Sequence, residues 1–230
     1  MSMPRTARDR VRDEVTREIL EMAGAHLARD GAAALSLRSI ARDLGMAPSA
    51  LYRYFAGRDA LLSALILGAY ESVADTAEQA AAGATGTDQE RWLAVPRAMR
   101  EWALARPHQW GLIFGSPVPG YQAPPDTVEP YARLALALVR PLMEAQEAGR
   151  LAPATLVAPA GLAAALLPVS EGILPQATTE TVLLAMGAWT TIIGAISLEL
   201  FGHWNQTILD PALFFDVTMA DVAAHVGLQP

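Results

Sequence analysis

Apolar positions recur every three or four residues along most of this chain, and that spacing predicts helices almost throughout. Val11, Val15, Ile19, Met22, Ala23 and Leu27 form one stripe and predict a first helix over residues 9–29, closed by Asp30-Gly31. Leu37, Ile40, Ala41 and Leu44 share one face of a second, short helix, with Ser36 placed to cap it. Gly45 can enter the left-handed region and so stops that helix, while Pro48 stands where the first turn of a third would tolerate it. Leu51 and Phe55, four apart, give the third helix its buried side. Met22, Leu27, Leu35, Ile40, Leu44, Leu51 and Phe55 together predict a small three-helix core.

Beyond it, a longer helix is expected from Arg58 to about Ala82, then a loop over residues 81–87. A helix over residues 88–106 contains Pro96, which should kink it. Pro107 opens a short helix through Gly115, and the proline-rich run from Ser116 to Pro130, with Pro125, reads as an extended loop. Residues 127–149 read as a helix interrupted at Pro141, and the alanine-rich stretch from Leu156 to Leu174 as one interrupted at Pro159 and Pro168. A long apolar helix over residues 178–203 and a last one opened by Asp210-Pro211 complete the chain. No strand alternation and no internal repeat is present, so the fold class is all-α.

Chemistry comes from the turn between the second and third helices. A small Ala41 for a close crossing and Gly45 for a sharp turn give the geometry of a helix-turn-helix, whose second helix enters the major groove. The outward face of that helix carries Ser49, Tyr52 and Arg53, with Tyr54 on its flank. The pattern points to DNA binding. Before it, residues 1–10 read as a mobile arm with Arg5, Arg8 and Arg10, either a frayed terminus or an arm that touches phosphates or a minor groove.

Charge sharpens this picture. The 230-residue chain is 52% hydrophobic and 18% charged, with a net charge of −7. Residues 1–60 hold ten Arg against eight acidic residues, and the remainder seven Arg against sixteen. A mildly basic head on an acidic body fits local, oriented phosphate contact and not a uniform coat. There is no Cys, which excludes disulfides, thiolate metal sites and Cys nucleophiles. No apolar signal segment opens the chain, so a cytoplasmic protein is expected. Thr181 to Leu198 runs eighteen residues without a charge, near the length of a membrane span. Its three Thr, Ser197, Gly187 and Gly194, with no basic cluster at either end, favour a buried or intersubunit helix and no membrane contact. The four His are scattered at positions 26, 108, 203 and 225, and no P-loop, G-x-S-x-G or H-E-x-x-H motif occurs. No enzyme activity, metal or cofactor is expected.

Residues 11–70 resemble the DNA-binding head of TetR-type transcriptional regulators, through Ser36-Leu37-Arg38-Ser39-Ile40-Ala41, Leu44-Gly45-Met46, Leu51-Tyr52-Arg53-Tyr54-Phe55 and Arg58-Asp59-Ala60-Leu61-Leu62. The segment from Trp102 to Tyr121, with Phe201-Gly202-His203, is similar to one subgroup's ligand and dimerisation domain. The resemblance implies about nine helices, a DNA-binding domain over residues 1–57 and a ligand-binding, dimerising domain over 58–230. It implies a homodimer on a near-palindromic double-stranded operator. Ser36, Arg38, Ser49, Ala50, Tyr52, Arg53, Tyr54 and Arg58 would form the DNA-binding set, with Arg38 and Arg58 on phosphates. Arg53 alone has the donor fork suited to guanine. Two positions depart from the pattern: Ala47 stands where many relatives cap the recognition helix with Ser or Thr, and Arg58 replaces the usual Lys.

A regulator of this kind needs a second site. Trp102, Trp110, Phe114, Tyr121 and Trp189, near helix breaks at Pro96 and Pro141, suggest a cavity for a small, mainly apolar effector, with Met143 and His203 completing the candidate lining. The last two helices are the expected dimer surface. Gly187, Thr191, Gly194 and Ala195 would allow close approach, and Leu198, Phe201 and Phe214 would supply apolar area. The reading is a repressor that leaves its operator when the effector binds. Its alternatives are an activator of the same fold, a helical enzyme or a membrane-associated protein.

Overall fold

The computed structural model describes residues 6–122, 124, 127–152, 157–174 and 177–230. Arg5, Pro125 and Leu156 lie outside the described residues. Among the described residues there are eleven α-helices and no strand: α1 (Ala7–Asp30), α2 (Leu37–Asp43), α3 (Pro48–Leu51), α4 (Arg58–Gly83), α5 (Asp88–Ala105), α6 (Pro107–Phe114), α7 (Val128–Glu147), α8 (Leu162–Ala165), α9 (Leu167–Gly172), α10 (Thr179–Leu200) and α11 (Pro211–His225). The chain forms two compact units, one of residues 1–69 and 108–127, the other of residues 70–107 and 128–230.

In the first unit, α1 begins earlier than its apolar stripe predicts. Thr6 Oγ1 accepts from the Asp9 amide at 3.2 Å and Asp9 Oδ2 accepts from the Thr6 amide at 3.0 Å. This reciprocal cap holds the first turn, so Arg8 and Arg10 are helix residues and not part of an arm. Ile19, Ala23, Leu27, Leu35, Leu37, Ile40, Ala41, Leu51 and Phe55 are buried, together with Leu61, Leu62 and Ile66 of α4. Met22 and Leu44, expected in this core, are half-buried at its edge.

The turn after α2 is closed by two backbone bonds, Met46 N–H to the Ala41 carbonyl at 2.8 Å and Gly45 N–H to the Arg42 carbonyl at 3.1 Å. That pairing is a Schellman motif and needs a left-handed residue at Gly45, where φ is 65°. A Cβ at this position would meet nothing within 4 Å. The cost of Gly45→Ala is therefore conformational, and we expect it to lower unfolding free energy by about 1 kcal/mol. Urea titration of the two proteins checks this; no change would mean the turn relaxes freely.

In the second unit, α5 packs on α7 and α11, and α10 on α5 and α11. Trp92, Val95, Met99, Trp102, Leu134, Leu142, Ile192, Ile196, Phe215 and Met219 are among the buried side chains. Helices α5 and α7 run through Pro96 and Pro141, both buried. The interruption expected at Pro141 is absent, because the Leu134, Leu138, Leu142 face is buried on both sides of it. Pro130 falls in the first turn of α7, where a missing N–H is tolerated. The last helix starts as predicted, with Asp210 Oδ1 accepting from the Leu213 amide at 3.0 Å.

Ion pairs tie these helices together. Arg100 on α5 donates to Glu199 on α10 through Nε (2.7 Å) and Nη2 (2.6 Å), and its guanidinium carbon lies 5.6 Å from the Phe215 ring centre. Arg133 on α7 reaches Glu78 at 2.6 Å and Asp75 at 2.6 Å on α4. Helices α4 and α10 are long and apolar enough to cross a membrane by length and composition. In α10, however, Val182, Ala185, Ala188, Ile192, Ala195 and Ile196 are buried within the unit.

Candidate functional site

The first unit presents the short, solvent-facing helix that follows the Gly45 turn. α3 has one turn, from Pro48 to Leu51, and Pro48 occupies its first position with Ala47 as an N-cap that supplies no side-chain acceptor. Ser36, at the N-cap of α2, likewise makes no side-chain cap bond. After Leu51 the chain tightens: Arg53 N–H reaches the Ala50 carbonyl at 3.2 Å and Tyr54 N–H the Leu51 carbonyl at 2.9 Å. Buried Leu51 and Phe55 anchor this turn, and Ser49, Tyr52 and Arg53 face solvent, with Tyr52 48% exposed. Ala50 and Tyr54 are half-buried beside them.

Arg38 and Arg53 are exposed and make no ion pair among the described residues, leaving both guanidinium forks available to an acceptor. Arg58 has a structural contact of its own, which leaves its other guanidinium donors unused by that bond. Its Nη2 donates to the Ala32 carbonyl at 2.9 Å, bracing the start of α4 on the turn over residues 32–34. Arg12 was not legible as part of this surface. From α1 it lies 5.6 Å over the Tyr54 ring and 3.5 Å from the Arg53 carbonyl, holding the flank of the reading segment. Only the fold brings residues 12 and 54 together.

A part-buried contact joins α1 to α2. His26 is 3% exposed and its Nε2 donates to Asp43 Oδ2 at 2.8 Å. This bond, with a second from Arg42, holds the Asp43 carboxyl below the usual carboxylate range. A depressed folded value means the contribution is complete above about pH 4, the unfolded carboxylate value, and is lost as pH falls through the folded one. We expect the wild-type head to lose stability on acidification more steeply than Asp43→Asn. Thermal unfolding followed from about pH 6 to pH 3 checks it; parallel curves would refute it.

The second unit contains an apolar cavity of about 110 Å³. Trp92 of α5, Tyr131, Leu138 and Leu142 of α7, Ile173 after α9, and Trp189 of α10 form much of its wall. No ionisable side chain other than Tyr131 lines it. The Tyr131 ring stands edge-on to Trp189 at 5.5 Å and to Tyr70 at 6.0 Å. Burial pushes the phenols of Tyr131 and Tyr70 up, so both are neutral at physiological pH.

Of the residues expected to line a pocket, Trp189 alone is in this wall. Trp102 is buried in α5 with its indole N–H on Ser72 Oγ at 3.0 Å. Trp110, Phe114 and Tyr121 belong to the first unit. There Trp110 packs against Phe114 at 4.5 Å, and the Tyr121 hydroxyl lies 2.9 Å from Ser63 Oγ. Met143 is half-buried on α7 off the wall, and His203 is exposed in the turn after α10, where its amide donates to the Leu198 carbonyl at 2.9 Å. Trp92, Tyr131 and Leu142 were missed as lining because stripe positions do not reveal which one faces a gap.

The expected dimer residues divide in the same way. Leu198, Phe201 and Phe214 are 43%, 50% and 44% exposed, joined by exposed Leu213 and Val217. Gly187 is exposed, and Thr191 and Gly194 are half-buried. Ala195 is buried, since it falls on the inward stripe of α10. Among the described residues, no group of three or more His, Asp or Glu is placed to hold a metal ion.

An all-helical chain with an exposed reading turn of this kind belongs to the helix-turn-helix transcriptional regulators. Residues 19–65 match the family of bacterial regulatory proteins of the tetR family, and residues 92–222 the Tetracyclin repressor-like, C-terminal domain. The chain is a member of the TetR family. It is 37% identical over 215 residues to the HTH-type transcriptional regulator Rv1816 of Mycobacterium tuberculosis (strain ATCC 25618 / H37Rv), covering 89% of each protein. The HTH-type transcriptional regulator Mb1846 of Mycobacterium bovis matches equally, at 37% identity and 89% coverage of each. Among solved structures, the regulatory protein SCO4313 is 34% identical with a TM-score of 0.79, over 96% of this chain and 100% of that one. A protein with unknown function from Rhodococcus sp. RHA1 follows at 26% identity and a TM-score of 0.67, over 90% and 94%.

Proposed function

We propose that this regulator is a cytoplasmic homodimeric repressor whose release from DNA is controlled by a small, neutral, mainly apolar molecule. The observation that carries this reading is the presence, in one chain, of an exposed Arg53 and Tyr52 on a helix-turn-helix and an apolar cavity in the other unit. DNA-binding and ligand-binding domains over residues 1–57 and 58–230 are part of the proposal. An effector that binds better to a form of the dimer with misplaced heads lowers operator affinity by that difference. The dimer surface we assign to Leu198, Phe201, Leu213, Phe214 and Val217, an exposed apolar patch on and around the last two helices. Two-fold symmetry then requires two half-sites separated by about 34 Å or a multiple of it.

The test is fluorescence anisotropy with duplex DNA from directly upstream of the protein's own coding region, beside random duplex of equal length. Saturable binding of two chains per duplex, exceeding random DNA and reversed by an apolar effector, supports the proposal. Binding that no effector changes removes the ligand-controlled part. A mass of one chain by light scattering at micromolar concentration removes the dimer.

A further inference from the structure

The cavity wall contains one donor that the protein does not use. Trp92 is 1% exposed, yet its indole Nε1 makes no hydrogen bond among the described residues. Two other indoles of the same unit have partners. Trp102 donates to Ser72 at 3.0 Å, and Trp189 is hydrogen-bonded to the Tyr131 hydroxyl. A buried N–H without a partner costs stability on the scale of a lost hydrogen bond, so such groups are rare unless something supplies the acceptor. Trp92 borders the cavity, and the neighbours there are aliphatic or already paired: Leu138, Leu142, Leu174, Ala188 and Ile192 offer no side-chain acceptor. An oxygen placed in the cavity would supply the acceptor that this N–H lacks.

We infer that Trp92 is the polar anchor of the effector site, donating its indole N–H to an oxygen acceptor on a neutral, ring-sized ligand. This rests on the proposed function of the cavity as the effector site. The acceptor is a carbonyl, ether or phenolic oxygen. A carboxylate or an ammonium is disfavoured, because no charged side chain lines the cavity to offset its desolvation. The volume of about 110 Å³ is below the roughly 150 Å³ of an apolar cavity that holds benzene, so a single ring is the largest ligand the cavity takes without movement of its wall. Apolar burial among the aromatic and aliphatic walls supplies affinity, and Trp92 supplies the choice between ligands of equal shape.

Two probes of nearly equal shape separate these contributions: acetophenone, and α-methylstyrene, in which a CH2 group replaces the carbonyl oxygen. Each is titrated into the full-length protein labelled with nitrogen-15, and the five indole N–H resonances are followed. The Trp92 signal is assigned by elimination with Trp102→Phe, Trp110→Phe, Trp189→Phe and Trp204→Phe. We expect acetophenone to bind about tenfold more tightly and to move the Trp92 resonance downfield, as a new hydrogen bond does. In Trp92→Phe the preference disappears, while α-methylstyrene keeps its affinity within about threefold. If that variant does not fold, the wild-type titration decides alone. Equal affinity of the two probes, or an unmoved Trp92 resonance, overturns the anchor while leaving the cavity as a binding site. Binding of neither probe overturns both the anchor and the effector-site reading.

Discussion

We expect Arg100→Ala to lower the unfolding free energy by about 3 kcal/mol, and urea titration of the two proteins checks this. The side chain is 16% exposed and that of its partner Glu199 12%, so truncation leaves a nearly buried carboxylate with no counter-charge. A fully buried pair broken on one side costs about 3–5 kcal/mol, and the remaining solvent access places this one at the lower end. The hydrogen bond to Glu199 raises the pKa of the already charged Arg100 guanidinium further. The cost is that of an orphaned charge more than of a lost attraction, and the double replacement Arg100→Met with Glu199→Met should recover most of it. A double variant as unstable as Arg100→Ala would show that the fork itself, and not the orphan, carries the stability.

We expect Arg53→Ala to weaken binding to the proposed operator by about 10- to 100-fold and to relax preference at one base pair of each half-site. The side chain is exposed, lies on the reading turn and makes no ion pair among the described residues. Arg38→Ala is the contrast. A residue that touches phosphate weakens all duplexes alike and reduces the salt slope by about one counterion, whereas a base reader changes the ranking of sequences. Anisotropy at two salt concentrations, with single-base variants of the operator, tells the two apart. If Arg53→Ala lowers affinity for operator and random DNA equally, its role is phosphate contact.

The head was legible because its signals are local. Gly45, Pro48, Leu51 and Phe55 each act within one or two turns of helix, and they place the turn and the reading face without reference to the rest of the chain. The start of α1 was missed by a few residues because the cap of Thr6 and Asp9 precedes the apolar stripe. Asp210 and Pro211 signalled α11 correctly for the same local reason. The cavity was less legible. Large aromatics do mark the body, but Trp102 is satisfied by Ser72 and Tyr121 lies beside Ser63, contacts separated by 30 and 58 residues in sequence. Whether an aromatic on a helical stripe fills the core or borders a gap depends on the facing helix. Pro141 misled in a related way, since burial on both sides of a proline can carry a helix through it.

The brevity of α3 has a thermodynamic consequence. A single turn from Pro48 to Leu51, with no side-chain cap at Ala47, lies far below the length at which a helix persists on its own. Its order is lent by Leu51 and Phe55 beneath it and by Arg12 beside Tyr54. Local opening of this segment therefore requires much less free energy than unfolding of the head, and its amides exchange with solvent ahead of those of α1 and α4. Docking into a groove restricts that opening. Part of the intrinsic attraction for DNA is offset by lost conformational entropy, and the association enthalpy becomes more negative as temperature rises.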